Sequence, residues 1–346
     1  MPRPGDRAVR RPIVHAFPGQ GDFPLSPLAR ALAALPQLRT AVAEVFGVAD
    51  PVGAEFDVRP LGPRLLDSTP PSGATLAAEA PGTAQLALFG VCLAVHRLLS
   101  GRGLPADRLF AVSFGEIPAL TAAGALRVAD GARLSCRLGQ LLHSADGGLT
   151  VLHASAPRVR ALLARCGARE VVVACVNDPG ETVVSGPPAA LLDAERAART
   201  AGIETTRLRL PFRAHHPGLH RQAAEFEAYA RSLPFAPVRL PVHSAVAGRA
   251  YAPTSDLPRA LANCLVRPAE LPPVLRRAVG PGTLVLETGT GQALSGSIRR
   301  VVPAAEARAP LAELNFPTSR NRISPSTAIG GDAAATQTDP ARRAAP

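Results

Sequence analysis

The stretch RLFAVSFGEIPALTAAGAL, residues 108–126, places one serine between two segments of different pattern. RLFAV is a short apolar run that predicts a buried strand, and EIPALTAAGAL predicts a helix. Ser113 lies at the junction, and Gly115, two residues later, permits a close approach of the chain. Strand, tight turn and helix in this order are typical of a nucleophile elbow in an α/β-hydrolase-like core. A serine that only caps the helix is the alternative, and this stretch leaves both interpretations open.

Other segments place this turn within an α/β chain. IVHAF at 13–17 predicts a buried strand that runs into the glycine-rich turn PGQGD, and TAQLALFGVCLAVHRLL at 83–99 predicts a buried helix. Farther along, HHPGLHRQAAEFEAYARSL predicts a helix, while VRLPVHSAV and TLVLETG predict strands.

Residues 149–210 follow a pattern of their own. Their segments predict strand, helix, strand, strand, helix and strand, with NDPG at 177–180 as the central hairpin turn. This β-α-β-β-α-β order is that of a ferredoxin-like unit. The sequence therefore predicts an N-terminal extension (1–12), a large α/β subdomain (13–147 and 211–316), an inserted ferredoxin-like small subdomain (148–210) and a disordered tail (317–346).

Composition excludes several classes of protein. The five cysteines have no C-x-x-C spacing, which argues against a zinc site or a disulfide scaffold and favours a reducing cytoplasm. We expect no metal, and no apolar run approaches the roughly 18 residues of a membrane span.

The net charge is +11, and every basic side chain besides histidine is arginine, yet the chain has no Trp and two Tyr. Nucleic acid is therefore not expected as a partner, whereas an acidic protein is.

A nucleophilic serine needs a general base within hydrogen-bond reach, and the chain offers eight histidines for this role. RAHHPGLH places His215 and His216 where the chain re-enters the large subdomain, although a histidine pair before proline is also common in surface turns. The other candidates lie within predicted strands or helices, which favours structural or exposed roles: His15, His96, His143, His153 and His243.

Six segments in order resemble one family. The segments are FPGQG (17–21), AVSFGE (111–116), VNDPGETVVSG (176–186), AHHP (214–217), LPVHSAVAG (240–248) and LETGTGQALSG (286–296). They are similar to the successive motifs of malonyl-CoA:acyl-carrier-protein transacylases and polyketide synthase acyltransferase domains. The likeness extends from about residue 13 to about residue 302, and the inserted ferredoxin-like unit is also what this family has.

The resemblance implies a ping-pong mechanism on an acyl-serine ester. It makes Ser113 the nucleophile and His215 the base that takes and returns the proton. Gln20 and the backbone N–H of Phe114 would form the oxyanion hole, and Gln85 corresponds to a glutamine of the substrate pocket. An acyl-CoA and a phosphopantetheinyl acyl carrier protein are implied as substrates, with no metal or redox cofactor.

One departure from the family bears directly on the acyl group. The family helix after the nucleophile reads R-L-x-x-x-R-G, and its second arginine pairs with the free carboxylate of a malonyl group. Here RLSCRLG at 133–139 places Leu138 in that position. Arg137 lies one residue away, about 100° around the helix, so we expect it to face elsewhere. Arg213 is the alternative source of a charge for a dicarboxylic substrate.

Two further departures concern the surroundings of the nucleophile and the base. Val112 replaces the histidine that precedes the family's serine, which makes the pocket floor more apolar. Cys264, with Asn263 beside it, occupies the place where the family has a residue that helps to orient the catalytic histidine.

We therefore expect an acyltransferase of polyketide or antibiotic biosynthesis that loads a monocarboxylic starter such as acetyl or propionyl onto an acyl carrier protein. A ketosynthase complex is a further expected partner, and membrane is not. Three alternatives remain at this point: an editing acyl-carrier thioesterase with the same Ser/His dyad, a malonyl transferase, and a non-catalytic scaffold homologue.

Overall fold

The computed structural model describes residues 10–317, which form helices around two β-sheets. The strands are β1 (Ile13–Phe17), β2 (Arg108–Ala111), β3 (Gly148–Leu152), β4 (Val172–Asp178), β5 (Glu181–Gly186), β6 (Thr205–Arg207), β7 (Val242–Ser244), β8 (Arg249–Ala250), β9 (Ala269–Glu270), β10 (Leu284–Glu287) and β11 (Glu306–Arg308).

Five helices follow β1 before the next strand, and from β3 onward helices and strands largely alternate. The helices are α1 (Ser26–Ala34), α2 (Pro36–Ala54), α3 (Gly62–Leu65), α4 (Gly73–Ala77), α5 (Thr83–Gly101), α6 (Glu116–Ala122), α7 (Val128–His143), α8 (Ala156–Cys166), α9 (Pro188–Thr200), α10 (His220–Arg231), α11 (Leu257–Val266), α12 (Leu271–Ala278), α13 (Ala293–Val301) and α14 (Pro310–Glu313). Two 3₁₀ turns, Ser113–Gly115 and Pro217–Leu219, precede α6 and α10.

The larger sheet has the strand order β11-β10-β1-β2-β7-β8 and is parallel except for its last pair. β1 and β2 are neighbours in register, with Phe17 opposite Ala111. Because parallel strands end at the same edge of a sheet, the segments that follow β1 and β2 meet there. This topology brings the PGQG turn beside Ser113.

The smaller sheet has the order β6-β3-β5-β4-β9. Its first four strands are antiparallel, and α8 and α9 pack against them around a core of their own that includes Val159, Val184 and Leu191. The fifth strand, β9, comes from the later part of the chain and pairs parallel to β4. The small sheet is therefore completed by a segment outside residues 148–210, which the sequence analysis did not predict.

Two predicted strands are shorter in the structure. VRLPVHSAV forms a strand only over Val242–Ser244, since Pro237 and Pro241 have no N–H to donate to a sheet. IETTRLRL pairs mainly over Thr205–Arg207, and its later leucines leave the sheet. The predicted tail, apart from residue 317, and the first nine residues of the N-terminal extension lie outside the described residues.

Helix α5 is long and apolar enough to cross a membrane, which corrects the expectation that no apolar run approaches that length. In the structure 72% of its most apolar window is buried, and α5 packs against α2 and α7. Its burial is that of a core helix. Helices α1 and α2 pass the same test only as a pair, across a bend of 119°.

Candidate active site

Ser113 lies on a tight turn between β2 and α6. Its backbone has φ of 56°, a left-handed conformation that is uncommon for a residue with a side chain. Gly115 packs against the end of β1 so closely that a Cβ atom there would lie 2.3 Å from the carbonyl oxygen of Phe17. The turn thus depends on a glycine two residues after the serine, and the strand-turn-helix prediction is confirmed.

His215 contacts Ser113 directly. Its Nε2 lies 2.8 Å from Ser113 Oγ, and its Nδ1 lies 2.6 Å from the carbonyl oxygen of Arg267. A carbonyl oxygen only accepts, so Nδ1 carries the proton and donates it to Arg267. Nε2 of the neutral ring then has a free lone pair and accepts from the serine hydroxyl. This is the tautomer that a general base requires.

Burial lowers the pKa of His215 from its usual 6.5, and the hydrogen bond to Arg267 offsets part of that effect. The side chain is 3% exposed. Near neutral pH the imidazole is therefore uncharged and able to take a proton.

The chain on either side of His215 is fixed by main-chain hydrogen bonds. Arg213 N–H donates to the carbonyl of Ala145 over 2.9 Å, and His216 N–H donates to the carbonyl of Leu265 over 2.9 Å. His215 itself has φ of 54°, so its backbone is as uncommon as that of Ser113.

His216 supports this turn with both ring nitrogens. Its Nδ1 accepts from the N–H of Gly218 over 3.0 Å, and its Nε2 donates to the carbonyl of Glu170 over 3.1 Å. The side chain thus caps the 3₁₀ turn before α10 and ties it to the small-sheet unit. Of the two adjacent histidines, only His215 contacts the serine.

Glu116 begins α6 directly below the turn and is fully buried. Ser244 Oγ donates to its carboxylate over 2.6 Å, and the hydroxyl of Tyr251 donates to its other oxygen. Burial raises the pKa of Glu116 to about 7, although these hydrogen bonds oppose the rise. Glu116 thereby fixes the first turn of α6 to β7 and to the segment after β8.

Two main-chain N–H groups near Ser113 are available as donors. Among the hydrogen bonds of residues 10–317, none uses the N–H of Gln20 or of Phe114. The side-chain carbonyl of Gln20 accepts from Gln85 Nε2 over 2.9 Å. Gln85 therefore holds the loop that presents Gln20.

A small cavity of about 20 Å³, which we call the inner cavity, lies behind Ser113. It has space for about one water-sized group. Every lining residue is uncharged: Gln20, Ser113, Phe114, Ile117, Leu138, Leu142, Ala214, Phe226, Leu261, Cys264 and Leu265. A group that enters this cavity meets leucine and phenylalanine side chains and no cation.

A wider opening of about 340 Å³, the outer cleft, connects Ser113 and His215 to the surface between the two sheets. Its walls are mainly apolar and include Val112, Leu149, Val151, Cys175, Val183, Leu208 and Leu210. Its ionisable lining residues, besides His215 and Cys175, are carboxylic acids: Asp22, Glu181 and Glu287. Glu287 is buried and accepts from both the N–H and the hydroxyl of Ser295, and burial raises its pKa to about 7.

Within residues 10–317 no three His, Cys, Asp or Glu side chains come together in a way that could hold a metal ion.

The acyl transferase domain family model matches residues 76–281, a segment that contains Ser113, His215 and Leu138. This chain belongs to that family. Polyketide synthase GfsB of Streptomyces halstedii is 33% identical over 285 residues, which are 81% of this chain and 5% of GfsB. This chain therefore spans only a small part of the curated relatives that it matches.

Two solved acyl transferase structures have the same fold. The malonyl-CoA:acyl carrier protein transacylase of Xanthomonas oryzae pv. oryzae is 27% identical, with a TM-score of 0.76, over 88% of this chain and 96% of its own. The acyltransferase domain of the second module of the salinomycin polyketide synthase is 25% identical, with a TM-score of 0.72, over 88% and 71%. The family resemblance seen in the motifs is confirmed.

Three residues of this acyl transferase domain lie where the sequence analysis expected them. Leu138 lines the inner cavity and Val112 lines the outer cleft. Arg137 faces the other side of α7, where its guanidinium lies 3.6 Å from Glu225 and over the ring of Tyr229. The helical register has not slipped, and Arg137 does not replace the family's second arginine.

Two predicted substrate contacts are not found. Arg213 lines neither the inner cavity nor the outer cleft, since its main chain is held by Ala145 and its side chain lies beside Gly147 and Gly218. Gln85 also lines neither space and reaches them only through Gln20. Neither side chain therefore lines the two spaces beside Ser113.

The residues expected to orient His215 are corrected as well. Nδ1 donates to the main-chain carbonyl of Arg267, and neither Asn263 nor Cys264 supplies the acceptor. Cys264 Sγ instead donates to the carbonyl of Ala260 one helical turn earlier and lines the inner cavity. The acceptor is a backbone atom, which every residue has, so no side-chain motif could have indicated it.

Sequence reasoning also missed two parts of the site. The sequence analysis gave Glu116 no role, and its partners Ser244 and Tyr251 come from distant segments. Phe226 enters the inner cavity from α10, and the only available signal was the apolar face of that helix.

Proposed function

We propose that this protein is an acyltransferase that moves a monocarboxylic acyl group from coenzyme A to an acyl carrier protein through an ester on Ser113. The observation that carries the proposal is the hydrogen bond of 2.8 Å between Ser113 Oγ and His215 Nε2, beside a cavity without a charged side chain. A neutral, correctly protonated imidazole next to a serine on a tight turn is the arrangement that activates a hydroxyl nucleophile.

In the first half-reaction Ser113 Oγ attacks the thioester carbonyl carbon while His215 Nε2 takes the hydroxyl proton. The main-chain N–H groups of Gln20 and Phe114 donate to the oxyanion that develops. When the tetrahedral intermediate collapses, the carbon–sulfur bond breaks and the imidazolium returns its proton to the departing thiolate. The products are free coenzyme A and an acyl-Ser113 ester.

In the second half-reaction the thiol of the carrier protein's phosphopantetheine attacks the ester carbon. His215 Nε2 takes the thiol proton as the new carbon–sulfur bond forms. The carbon–Oγ bond then breaks, and the proton passes to Ser113 Oγ. The outer cleft, with its apolar walls, suits a long uncharged arm that reaches Ser113 from the surface.

The acyl group is proposed to be uncharged because of the inner cavity. A malonyl carboxylate there would be buried among Leu138, Leu142 and Phe226 with no guanidinium within the lining. An uncompensated buried charge costs several kcal/mol. The small volume of the cavity favours a short chain such as acetyl or propionyl.

The two sheets correspond, in this proposal, to two subdomains with different roles. We assign the larger sheet to an α/β-hydrolase-like core that supplies the nucleophile, and residues 148–210 to a ferredoxin-like subdomain that forms one wall of the cleft. The net charge of +11 suits an acidic carrier protein. The malonyl-CoA:acyl carrier protein transacylase, at 27% identity, is the relative that supports this partner. We also propose a cytoplasmic location, because the five cysteines lack disulfide or zinc spacing, and association with a ketosynthase complex.

The test is intact-protein mass spectrometry after brief incubation with acetyl-, propionyl- or malonyl-CoA, followed by phosphopantetheinylated carrier protein. We expect an acetyl or propionyl adduct that moves to the carrier. Ser113→Ala should carry no adduct, whereas Ser155→Ala, at the start of α8 on the small-sheet unit, should react as the natural protein does.

The other outcomes separate the alternatives. Release of the acyl group as free acid, with none on the carrier, would indicate an editing thioesterase. A malonyl adduct alone would contradict the argument from Leu138. No adduct with any thioester, together with no labelling of Ser113 by a fluorophosphonate, would indicate a scaffold protein.

A further inference from the structure

A separate cavity of about 220 Å³ lies between the β7–β8 hairpin and helix α11. Three arginines line it, Arg249 from β8, Arg259 from α11 and Arg267 from the end of α11, and Asn263 adds an amide. We call it the arginine cavity. It shares no lining residue with the inner cavity or the outer cleft, so it is not part of the site of acyl transfer.

The positive charge of this cavity is not balanced within the part of the chain that the structure describes. None of the three guanidinium groups has a carboxylate or carbonyl partner there. The one carboxylate in the lining, Asp256, is bound to Arg231 over 2.6 Å and caps the N-terminus of α11. Three exposed cations therefore line one cavity with a single anion, Asp256, which pairs with Arg231 and also interacts with Arg259.

Two further arginines near the cavity add to its positive electrostatic potential. The guanidinium of Arg277 donates to the carbonyl of Gly248 in the β7–β8 hairpin, and Arg108 donates to the carbonyl of Ala278. Both act on His243 of β7, whose pKa is lowered first by burial and then by these two arginines. The edge of the larger sheet at β8 is thus electropositive beyond the cavity itself.

We propose that the arginine cavity binds a phosphate group. Guanidinium groups present several N–H donors in a planar fork that matches phosphate oxygens, and here they line one cavity from two segments, β8 and α11 with its end. The volume is several times the roughly 30 Å³ that a water molecule occupies. Asn263 and the guanidinium of Arg267, four residues apart on α11 and its end, would meet the same ligand.

A phosphate bound in the arginine cavity would lie beside two residues that hydrogen-bond to the candidate active site. The side chain of Arg267 lines the arginine cavity, and its main-chain carbonyl accepts the Nδ1 proton of His215. Tyr251 also lines the cavity and donates to Glu116 beneath the nucleophile turn. Phosphate binding in this cavity does not depend on the acyl-transfer reaction.

The experiment titrates the full chain with inorganic phosphate and follows binding by calorimetry and thermal unfolding, with sodium chloride at matched ionic strength as the reference. We expect saturable binding of phosphate and a rise in Tm that chloride does not give. The variant Arg249→Gln/Arg259→Gln should weaken binding about 10-fold or more for each arginine removed.

The control is Arg165→Gln/Arg169→Gln, which removes two exposed arginines of the small-sheet unit that have no carboxylate partner among residues 10–317. It changes the net charge equally and should bind phosphate as the natural chain does. A second variant, Asn263→Asp, places a carboxylate in the cavity and should also weaken binding. Equal loss in the control, or binding that chloride reproduces, would overturn the proposal.

Coenzyme A and dephospho-coenzyme A then identify the source of the phosphate. If the 3′-phosphate of coenzyme A is the ligand, free phosphate competes with coenzyme A and the cavity variants weaken only the 3′-phosphorylated form. If inorganic phosphate is the ligand, both forms of coenzyme A bind alike in all variants while phosphate binding is lost. Binding of carrier protein that depends on these arginines, without any binding of phosphate, would contradict the proposal.

Discussion

The turn that carries Ser113 and the turn that carries His215 both place a non-glycine residue at positive φ, but different contacts stabilise them. Both residues have positive φ, 56° and 54°, which side chains other than glycine adopt at a cost. The Ser113 turn joins two consecutive elements, β2 and α6, and depends on the close packing of Gly115 on β1, although Glu116 also ties the start of α6 to distant segments. The His215 turn is held by hydrogen bonds to four distant parts of the chain.

This difference explains what could be read from the sequence. A strand, a turn and a helix within 20 residues form a local pattern, so Ser113 was identifiable as a candidate nucleophile from its own neighbourhood. His215 was one of two adjacent histidines, and only contacts with Ala145, Arg267 and Glu170 decide which of them reaches the serine. A turn that depends on neighbouring residues can be recognised from its own stretch of sequence. A turn held by acceptors in distant segments cannot.

The largest expected effect is on the rate of acyl transfer when His215, the proposed general base, is removed. His215→Ala should reduce kcat for acyl transfer by about 10²- to 10⁴-fold, the usual contribution of a general base. His153→Ala is the matched control, because its side chain is exposed and lies in the small-sheet unit, and it should retain the natural rate. Stopped-flow or quenched measurement of coenzyme A release checks both variants. A fall of less than threefold in His215→Ala would mean that the serine has another base.

A steric change in the serine turn should affect folding rather than chemistry. A Cβ at residue 115 would overlap the carbonyls of Phe17 and Pro18, so Gly115→Ala should destabilise the protein by about 3 kcal/mol. Gly47→Ala is the opposite case, since Gly47 lies in the exposed middle of α2 with open space around a Cβ. That variant should gain about 0.5–1 kcal/mol. Denaturant unfolding measures both, and equal stabilities would refute the packing account of this turn.

A change in the histidine turn should be smaller and should be rescued by a shorter acceptor. His216→Ala removes the side chain that accepts from Gly218 and donates to Glu170, which should cost about 1–2 kcal/mol of unfolding free energy. His216→Ser keeps a capping acceptor and should recover part of that loss. Because His216 does not contact Ser113, we expect kcat to fall less than in His215→Ala. If the serine variant is no more stable than the alanine variant, capping is not the role of His216.

The same contrast runs through the rest of the fold. Strand β1, helix α5 and the β-α-β-β-α-β order of residues 148–207 follow from apolar runs and turn residues, and the structure has them at nearly the predicted bounds. Strand β9 was not predictable, because its two residues pair with β4 only after the chain has returned from α11. The inner cavity shows both cases: Leu138 was identified from its position in a motif, while Phe226 enters from a helix that carries no motif.

The smallest effect is a shift in pH dependence, and its sign follows from burial. Only neutral His215 can accept the serine proton, so kcat/KM should fall as the pH decreases through a pKa that lies below the usual 6.5.

The same lowered pKa of His215 affects stability. The unfolded chain binds a proton on this ring that the folded chain does not, so this ring's contribution to stability is lost as the pH falls below 6.5. Glu116 acts in the opposite direction: its pKa is raised to about 7, so the stability it contributes is lost as the pH rises from about 4.5 to 7. Measuring unfolding free energy against pH for the natural chain and for His215→Gln separates the two, because only the contribution of His215 disappears from the difference. An acidic limb of kcat/KM above pH 6.5 would contradict the burial argument and would indicate that the histidine turn opens to water during the reaction.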